Sequence, residues 1–321
     1  MTLTFCISQY LFMMIQKLLS GGYQKLKNIN ISSAPLDAEL LLSFVLKKPR
    51  AWILAHPETK LTSRQQADFD KLIAGRAPGV PLAYLTREKG FYERTFYVDE
   101  RVLVPRPETE MIIDELKIKN YKLGITTTIV DVGTGSGCII ITAAKELKKY
   151  KNLKFFATDI SKNALTVARK NAKLHGVAKK ITFLHGNLLA PILQNKKFSA
   201  PNSQLLILAN LPYLTPAEIK ILPTIQYDPQ LALDGGTDGL GIYRELAEQI
   251  KTIHRQYPKM PIALIAEISD TQGEAMKKIF SSPAMPAPAG IQKKNTVTIK
   301  KDLAGLDRMA VIKFAFSHLK M

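Results

Sequence analysis

Apolar residues recur at helical spacing over the first part of the chain. From about residue 7 to residue 75 they fall three or four positions apart, as Leu36, Leu40, Leu41 and Phe44 do, without the alternation that a strand shows. Three-and-four spacing places side chains on one face of a helix. The pattern therefore predicts a small helical domain, which we assign to residues 1–77.

The pattern changes between residues 79 and 104, where short apolar runs are separated by turns. Phe91-Tyr92 and Phe96-Tyr97-Val98 predict a hairpin. The run Pro105-Arg106-Pro107-Glu108-Thr109-Glu110 follows, and its prolines end the strand because they lack the N–H that a ladder needs. Glu108 then begins a predicted helix that extends to about residue 119. We interpret residues 78–110 as a hairpin connector.

Apolar runs of strand length alternate with helical stretches in the remaining segment, residues 111–321. This alternation is typical of a largely parallel sheet with helices on both faces. The predicted strands are 128–132, 154–158, 181–184, 205–209, 262–267, 296–300 and 309–316. No helix separates the last two, which favours antiparallel pairing at one edge, and the proline-rich stretch 281–290 is interpreted as a surface loop. The expected fold class is α/β, a seven-stranded Rossmann-like sheet with a small N-terminal helical domain.

Composition bears on the number of domains and on the cellular compartment. The chain has 321 residues, 46% of them hydrophobic, which suffices for two domains with cores. Cys6 and Cys138 form neither a disulfide framework nor a zinc pattern, which favours a reducing, cytoplasmic compartment. The apolar stretch 10–15 lacks the basic segment that precedes a signal peptide, and no apolar run reaches the ~20 residues that span a bilayer. No membrane partner is expected.

The net charge is +18, from 45 Lys and Arg against 27 Asp and Glu. An excess of this size attracts acidic partners, either nucleic acid or an acidic protein. The basic residues are mostly lysines spread along the whole chain, whereas a nucleic-acid footprint is clustered. A solvated lysine-rich surface is the favoured interpretation, and no direct nucleic-acid substrate is expected.

A glycine-rich turn follows the first predicted strand of the sheet. The strand contains Asp131, and Gly133-Thr134-Gly135-Ser136-Gly137 leads from it into a helix that begins near Cys138. Glycines let the backbone approach a ligand, and Asp159, at the end of the next strand, is placed to accept hydrogen bonds from ribose hydroxyls. The third glycine comes one residue early for a dinucleotide, and Asp131 suits a cationic amino-acid ligand better than a pyrophosphate. S-Adenosylmethionine is therefore favoured over NAD; the plain alternative is a turn that only packs helix on strand.

A third cofactor contact is expected at the end of the following strand, in His185-Gly186-Asn187-Leu188. The side-chain carbonyl of Asn187 is an acceptor for the adenine amino group, and Leu188 is placed to pack against the ring. The expected cofactor-binding set is Asp131, Gly133, Thr134, Gly135, Ser136, Gly137, Asp159, Asn187, Leu188 and Asn210. The product of methyl transfer is S-adenosylhomocysteine.

The strand 205–209 ends in Asn210-Leu211-Pro212-Tyr213, at the edge where open α/β sheets bind ligands. An amide nitrogen is a poor nucleophile because its lone pair is delocalised, so catalysis has to orient it. The side-chain carbonyl of Asn210 and the main-chain carbonyl of Leu211 are two acceptors for two amide hydrogens. Pro212 biases Leu211 toward an extended conformation, and Tyr213 offers a ring face. These four residues are the predicted catalytic set, with no metal; the plain alternative is a turn that leaves a strand.

Further segments share a pattern with a known family. They are Asp37-Ala38-Glu39-Leu40-Leu41-Leu42, Val104-Pro105-Arg106-Pro107-Glu108-Thr109-Glu110, Leu233-Asp234-Gly235-Gly236-Thr237-Asp238-Gly239-Leu240 and Lys301-Asp302-Leu303-Ala304-Gly305-Leu306-Asp307-Arg308. With these, the glycine turn, Asp159 and the Asn210 tetrapeptide, nearly the whole chain resembles the HemK-type glutamine methyltransferases. Those enzymes methylate N5 of the glutamine in the Gly-Gly-Gln motif of bacterial peptide chain release factors.

The resemblance implies a class I methyltransferase domain, a helical domain that helps to dock the release factor, and a substrate glutamine held by Asn210 and the Leu211 carbonyl. A monomer is expected. The chain departs from the family at two positions: Leu211 stands where proline is usual, and Asn187 where an acidic residue is common. The first change keeps the carbonyl but loosens the loop. The second weakens adenine binding modestly.

Three alternatives stay open at the level of the sequence. A sister enzyme methylates glutamine in a ribosomal protein, and an adenine N6 methyltransferase faces the same problem of orienting a planar amino group. Enzymes of the latter class extrude a base and usually carry a further region that reads the duplex, and no such region is evident in the sequence. The third alternative is a degenerate cofactor-binding module, which Leu211 and Asn187 suggest.

Overall fold

The computed structural model describes residues 14–29, 31–117, 126–195, 198, 203–222, 225–281 and 295–315. The chain divides into two compact units, and the boundary lies between Arg87 and Glu88. This boundary falls inside the predicted connector 78–110. The three-part division into 1–77, 78–110 and 111–321 stays a prediction.

The first unit is helical throughout its described part. Its helices are α1 Ile15–Lys27, α2 Ala34–Leu46, α3 Arg50–Ala55, α4 Ser63–Arg76 and α5 Leu82–Thr86. Helix α4 begins with a capping box, in which Thr62 and Gln65 each bond the other's backbone N–H through the side chain. The predicted helical character is thus confirmed from Ile15 onward, and residues 7–13 lie outside the described part.

The buried face of α2 differs from the predicted stripe. Leu41 is fully buried, whereas Leu36, Leu40 and Phe44 are 39–43% exposed. The buried side chains of α2 are Ala34, Asp37, Ala38, Leu41 and Leu42. Asp37 is tolerated among them because it pairs with Arg76 at 2.7 Å. Since α2 is apolar on most of its sides, the spacing predicted the helix correctly but not the side that is buried.

The second unit begins with the predicted hairpin. Strands β1 Glu88–Phe91 and β2 Arg94–Tyr97 pair antiparallel, and they bury Phe91 and Phe96 edge to face. The segment after them is a 3-10 turn at Pro107–Thr109 that continues into α6 Glu110–Lys117. The predicted helix thus begins as a tighter turn, with Pro107 at a position that needs no N–H donor. Residues 118–119 of that prediction lie outside the described part.

The described residues of the second unit form a seven-stranded sheet. Its strands are β3 Thr126–Val132, β4 Leu153–Asp159, β5 Ile181–His185, β6 Ser203–Ala209, β7 Ile262–Glu267, β8 Thr296–Lys301 and β9 Asp307–Lys313. The remaining helices are α7 Cys138–Glu146, α8 Lys162–Leu174, α9 Ala190–Leu193, α10 Pro216–Ile221, α11 Gly241–Gln256 and α12 Gly273–Ser281. The spatial order is β5-β4-β3-β6-β7-β9-β8, parallel from β5 to β7 and antiparallel at β9 and β8.

This order confirms the predicted fold class and places the ligand edge. Strands β3 and β6 are neighbours although two helix-strand units separate them in sequence, so the chain reverses direction across the sheet there. Such a switch point opens a crevice at the carboxyl ends of the strands. The last strand ends at Lys313, earlier than predicted, and only the first residue of the predicted loop 281–290 lies within the described part.

Among the described residues, no helix is both long and apolar enough to cross a membrane.

Candidate active site

A cavity of about 310 Å³ opens at the carboxyl ends of β3, β4, β5 and β6. Ten of the residues predicted for the site line it: Gly133, Thr134, Gly135, Ser136, Asp159, Asn187, Leu188, Asn210, Leu211 and Pro212. Asp131, Gly137 and Tyr213 do not. The cavity wall also contains residues that the sequence did not single out, among them Leu103, Thr109, Ile160, Leu231 and Glu245.

The glycine turn shapes one wall of the cavity. Gly133 and Gly135 have φ values of +69° and +54°, which side chains rarely adopt. A Cβ on Gly133 would also lie 2.9 Å from Leu211 Cδ2. Glycine at this position therefore lets the turn after β3 and the tetrapeptide after β6 pack directly against each other.

Asp131 lies behind this turn. It is fully buried, and the Thr134 hydroxyl donates to its Oδ2 at 2.6 Å. Among the described residues, its Oδ1 has no hydrogen-bond donor. Burial raises the pKa of Asp131 to about 7, and the charge of Asp159 adds to the rise. Asp131 does not line the cavity itself, but it is bonded to Thr134, which does.

Asp159 ends β4 with its carboxylate at the cavity wall. Its Oδ2 accepts from the Gly135 N–H at 2.9 Å, and its Oδ1 accepts from the Ser161 N–H at 2.8 Å. Burial raises its pKa, although these two backbone bonds oppose the rise. A carboxylate oxygen has two acceptor sites, so each oxygen keeps one for a ligand. Ile160, 52% exposed, adds an apolar surface beside it.

The turn after β5 contributes Asn187 and Leu188. Leu188 is almost fully buried and has a φ of +48°. The Asn187 amide Nδ2 donates to the carboxylate of Glu245 on α11. With the NH₂ group engaged, the carbonyl of Asn187 is the group left for a ligand. Glu245 also lines the cavity, so a carboxylate is present close to the position at which the family often has one.

The tetrapeptide leaves β6 with Asn210 half-buried and Leu211 buried at the cavity wall. Tyr213, the last residue of the tetrapeptide, is not among the residues that line the cavity. Its hydroxyl donates to Glu267 Oε1 at 3.3 Å, and burial raises its pKa. The ring-face role predicted for Tyr213 stays a prediction.

The side-chain amide of Asn210 is held by Thr109, which is in turn bonded to Glu267. Its Nδ2 donates to Thr109 Oγ1 at 3.0 Å, and this hydroxyl donates to Glu267 Oε2 at 2.6 Å. No role was predicted for either Thr109 or Glu267. The register was the available signal, because Ala209 pairs with Ala266 and the residues that follow them, Asn210 and Glu267, are therefore neighbours at the sheet edge.

The glycine-rich loop 234–241 supports the tetrapeptide on its other side. Gly235 N–H donates to the Leu214 carbonyl at 2.8 Å. Gln272 Nε2 donates to the main-chain carbonyls of Tyr213 and Gly239, each at 3.1 Å. Gln272 and Gly235 thus hold the backbone carbonyls of Tyr213 and Leu214. These contacts explain how the segment 233–240 supports the site.

Gly239→Ala is expected to damage the site more than a matched glycine change elsewhere. At its φ of +70°, an added Cβ would overlap the Tyr213 carbonyl oxygen and lie 2.8 Å from Gln272 Nε2. We expect a loss of turnover of roughly tenfold or more and a loss of about 2–4 kcal/mol of unfolding free energy, from left-handed strain combined with overpacking. Gly176→Ala, at φ +68° with open space around it, is the control and should lose only about 1–2 kcal/mol. Equal losses in both variants would contradict the account.

Two family models match this chain. The family model described as "Methyltransferase domain" matches residues 125–287, and "PrmC N-terminal domain" matches residues 17–86. The "Release factor glutamine methyltransferase" of Dictyoglomus turgidum is 42% identical over 71% of this chain and 77% of its own length. That of Moorella thermoacetica is 36% identical over 83% of this chain and 86% of its own length.

The chain belongs to the release factor glutamine methyltransferase family. It is also 32% identical, over 92% of its length, to a "Bifunctional methyltransferase" of Rickettsia felis, of which it spans 57%. As a family member with a methyltransferase domain, it is an S-adenosylmethionine-dependent enzyme.

The residues of the cavity fit this cofactor. Asp159 provides acceptors for ribose hydroxyls, Leu188 and Ile160 provide apolar surfaces for a planar base, and the turn 133–137 leaves room for the amino-acid portion. The orphaned Oδ1 of Asp131 adds negative potential behind that turn. Which of these residues contact the cofactor and which contact the substrate stays a prediction.

Proposed function

We propose that this chain transfers a methyl group to N5 of the glutamine in the Gly-Gly-Gln motif of peptide chain release factors. The names of its relatives support the release factor as substrate. The observation that carries the chemistry is the orientation of Asn210. Its NH₂ group is engaged by Thr109, so its carbonyl is the group offered to the cavity.

In this proposal the cofactor is held by the residues at the ends of β3, β4 and β5. Asp159 accepts the ribose hydroxyls, Asn187 accepts the adenine amino group, and Leu188 packs against the ring. When bound, S-adenosylmethionine supplies an electrophilic methyl group. Asp131, together with Thr134, favours the positive charge of the amino-acid portion.

Asn210 and Leu211 then orient the acceptor nitrogen. The Asn210 side-chain carbonyl and the Leu211 main-chain carbonyl accept the two amide hydrogens, which directs the nitrogen lone pair toward the methyl group. Holding reactants in such a geometry contributes up to about 7–11 kcal/mol in the best intramolecular cases. No general base needs to touch the amide before transfer, because the proton leaves only after the nitrogen has become methylated and cationic.

The two departures from the family pattern are compatible with this role. Leu211 keeps its carbonyl, and its buried side chain packs beside Gly133. Asn187 is paired with Glu245, so its amide is not free to turn. We therefore expect an active enzyme and not a degenerate binding module.

The helical unit helps to dock the release factor, the enzyme acts as a monomer in the cytoplasm, and nucleic acid is not a substrate. Cys138 is a buried free thiol, which suits a reducing compartment.

The test offers the purified enzyme several substrates with labelled cofactor. We expect label in a release factor and none in its Gln→Ala variant at the Gly-Gly-Gln motif. Label in that variant would show that another residue is methylated. Label confined to a ribosomal protein or to a DNA fragment would replace the release factor by one of the alternative substrates.

A further inference from the structure

The side-chain amide of Asn210 is anchored by a short chain of hydrogen bonds that ends at a buried carboxylate. Thr109 links it to Glu267, with separations of 3.0 Å from Asn210 Nδ2 and 2.6 Å to Glu267 Oε2. Thr109 and Glu267 are 2% and 3% exposed. Solvent therefore does not compete for either bond.

The hydroxyl of Thr109 determines which end of the Asn210 amide faces the cavity. A hydroxyl group has one hydrogen, and here that hydrogen goes to the carboxylate of Glu267. Thr109 can then only accept from Asn210, so the NH₂ group faces Thr109 and Oδ1 faces the cavity. The nitrogen and oxygen ends of an amide have similar shape, so hydrogen bonding and not packing decides between its two orientations.

We propose that Thr109 and Glu267 are positioning residues that hold Asn210 in the orientation that presents its carbonyl to the substrate amide. The inference deepens the proposed function and rests on it, because the orientation matters only if Asn210 accepts from the substrate. In the reversed orientation the NH₂ group of Asn210 would face the NH₂ group of the glutamine, and no hydrogen bond would form.

The surroundings of Glu267 make this orientation sensitive to pH. The groups that face its carboxyl are Thr109, Tyr213, Tyr243, Arg308, Glu108 and Cys138. Burial raises the pKa of Glu267 to about 7, while the Thr109 bond and the charge of Arg308 oppose the rise. Burial also raises the pKa of Tyr213, Tyr243 and Cys138, so these groups keep their protons near neutrality.

Protonation of Glu267 would reverse the chain of hydrogen bonds. The carboxylic acid donates to Thr109, Thr109 donates to the carbonyl of Asn210, and the NH₂ group turns to the cavity. The ionised form of Glu267 is therefore the one that supports transfer. Glu267 becomes protonated as the pH falls through its raised pKa, so we expect the orientation to be lost as the pH falls through about 7.

The kinetic test compares Thr109→Val, which removes the hydroxyl at nearly constant volume, with Thr109→Ser, which keeps it. We expect Thr109→Val to lower kcat roughly 10–100-fold, equivalent to the loss of one oriented contact, with KM for the release factor and cofactor affinity within about threefold. Thr109→Ser should stay within about threefold of wild type. Wild-type kcat in Thr109→Val, or equal loss in both variants, would overturn the inference.

A second measurement reads the orientation without any substrate. In protein labelled with ¹⁵N at asparagine, the Asn210 side-chain signals are identified by their absence from Asn210→Ala. We expect these signals to titrate near pH 7 in the wild type, to stop titrating in Glu267→Gln, and to move to solvent-like positions in Thr109→Val. Asn210 signals whose positions and pH titration are the same in both variants as in the wild type would overturn the inference. Failure of the proposed function is distinct, because the wild type would then leave the release factor unlabelled.

Discussion

Asn210→Ala is expected to lower the rate of methyl transfer roughly 10²–10³-fold, the loss seen when one group that orients or stabilises a reacting centre is removed. The alanine leaves the Leu211 carbonyl in place but removes the side-chain acceptor for one amide hydrogen. The substrate nitrogen then rotates freely about the remaining bond. Most of the loss should appear in kcat, measured with saturating cofactor and release factor.

Cofactor affinity separates this loss from a general collapse of the site. Asn210 lies at the end of β6, whereas the residues proposed to hold the ribose and the base lie at the ends of β4 and β5. We expect S-adenosylhomocysteine to bind within about threefold of wild type. Asn152→Ala is the matched control, because that exposed asparagine precedes β4 at the opposite edge of the sheet. Wild-type turnover by Asn210→Ala would mean that the tetrapeptide is only a turn.

Asp159→Ala is expected to weaken cofactor binding about 100-fold. Two hydrogen bonds from hydroxyls to a charged acceptor contribute about 1.5 kcal/mol each, and every 1.4 kcal/mol corresponds to a factor of ten. The same change releases the backbone N–H groups of Gly135 and Ser161, which the carboxylate holds at 2.9 Å and 2.8 Å. Titration calorimetry with S-adenosylhomocysteine measures the change directly.

A surface carboxylate of the same unit provides the control for Asp159. Glu248 on α11 pairs with Lys251, and its side chain is 65% exposed. Glu248→Ala should bind the cofactor product like the wild type. At saturating cofactor, the kcat of Asp159→Ala should recover to within about tenfold of wild type, because its carboxylate does not touch the acceptor amide. Unchanged cofactor affinity in Asp159→Ala would show that the ribose is held elsewhere.

The largely parallel sheet and the edge at which the cavity lies could be predicted from patterns that are local in sequence. Apolar runs separated by helical stretches predict a parallel sheet, and the carboxyl ends of parallel strands meet at one edge. This is why Asp159, Asn187 and Asn210, each at or just after a strand end, could be predicted to lie at a common site. The cavity contains all three.

The parts that sequence reasoning missed depend on pairings between distant segments. Thr109 lies near the end of the hairpin connector, and Glu267 ends a strand 158 positions later, yet the Thr109 hydroxyl donates a hydrogen bond to the Glu267 carboxylate. Nothing in either local pattern indicates this contact. Glu245 was missed because the pattern of an amphipathic helix does not distinguish it from any other solvent-facing glutamate. Only the packing of α11 brings it to Asn187.

Asp131 and Tyr213 illustrate a different limit. Their positions in sequence predicted a site, but sequence does not tell whether a side chain at a strand end points into a crevice or behind it. Asp131 is fully buried behind Thr134, and Tyr213 directs its hydroxyl at Glu267. Asp131 therefore borders the cavity only through Thr134, and the role predicted for Tyr213 stays a prediction.

The central claim is that the methyl group goes to the side-chain nitrogen of a glutamine. Tandem mass spectrometry of a release factor treated with the enzyme and S-adenosylmethionine tests it most directly. The account predicts one added methyl group, located on the glutamine of the Gly-Gly-Gln motif and absent when Asn210→Ala replaces the wild type. A methyl group on any other residue, or the same modification produced by Asn210→Ala at the wild-type rate, would contradict it.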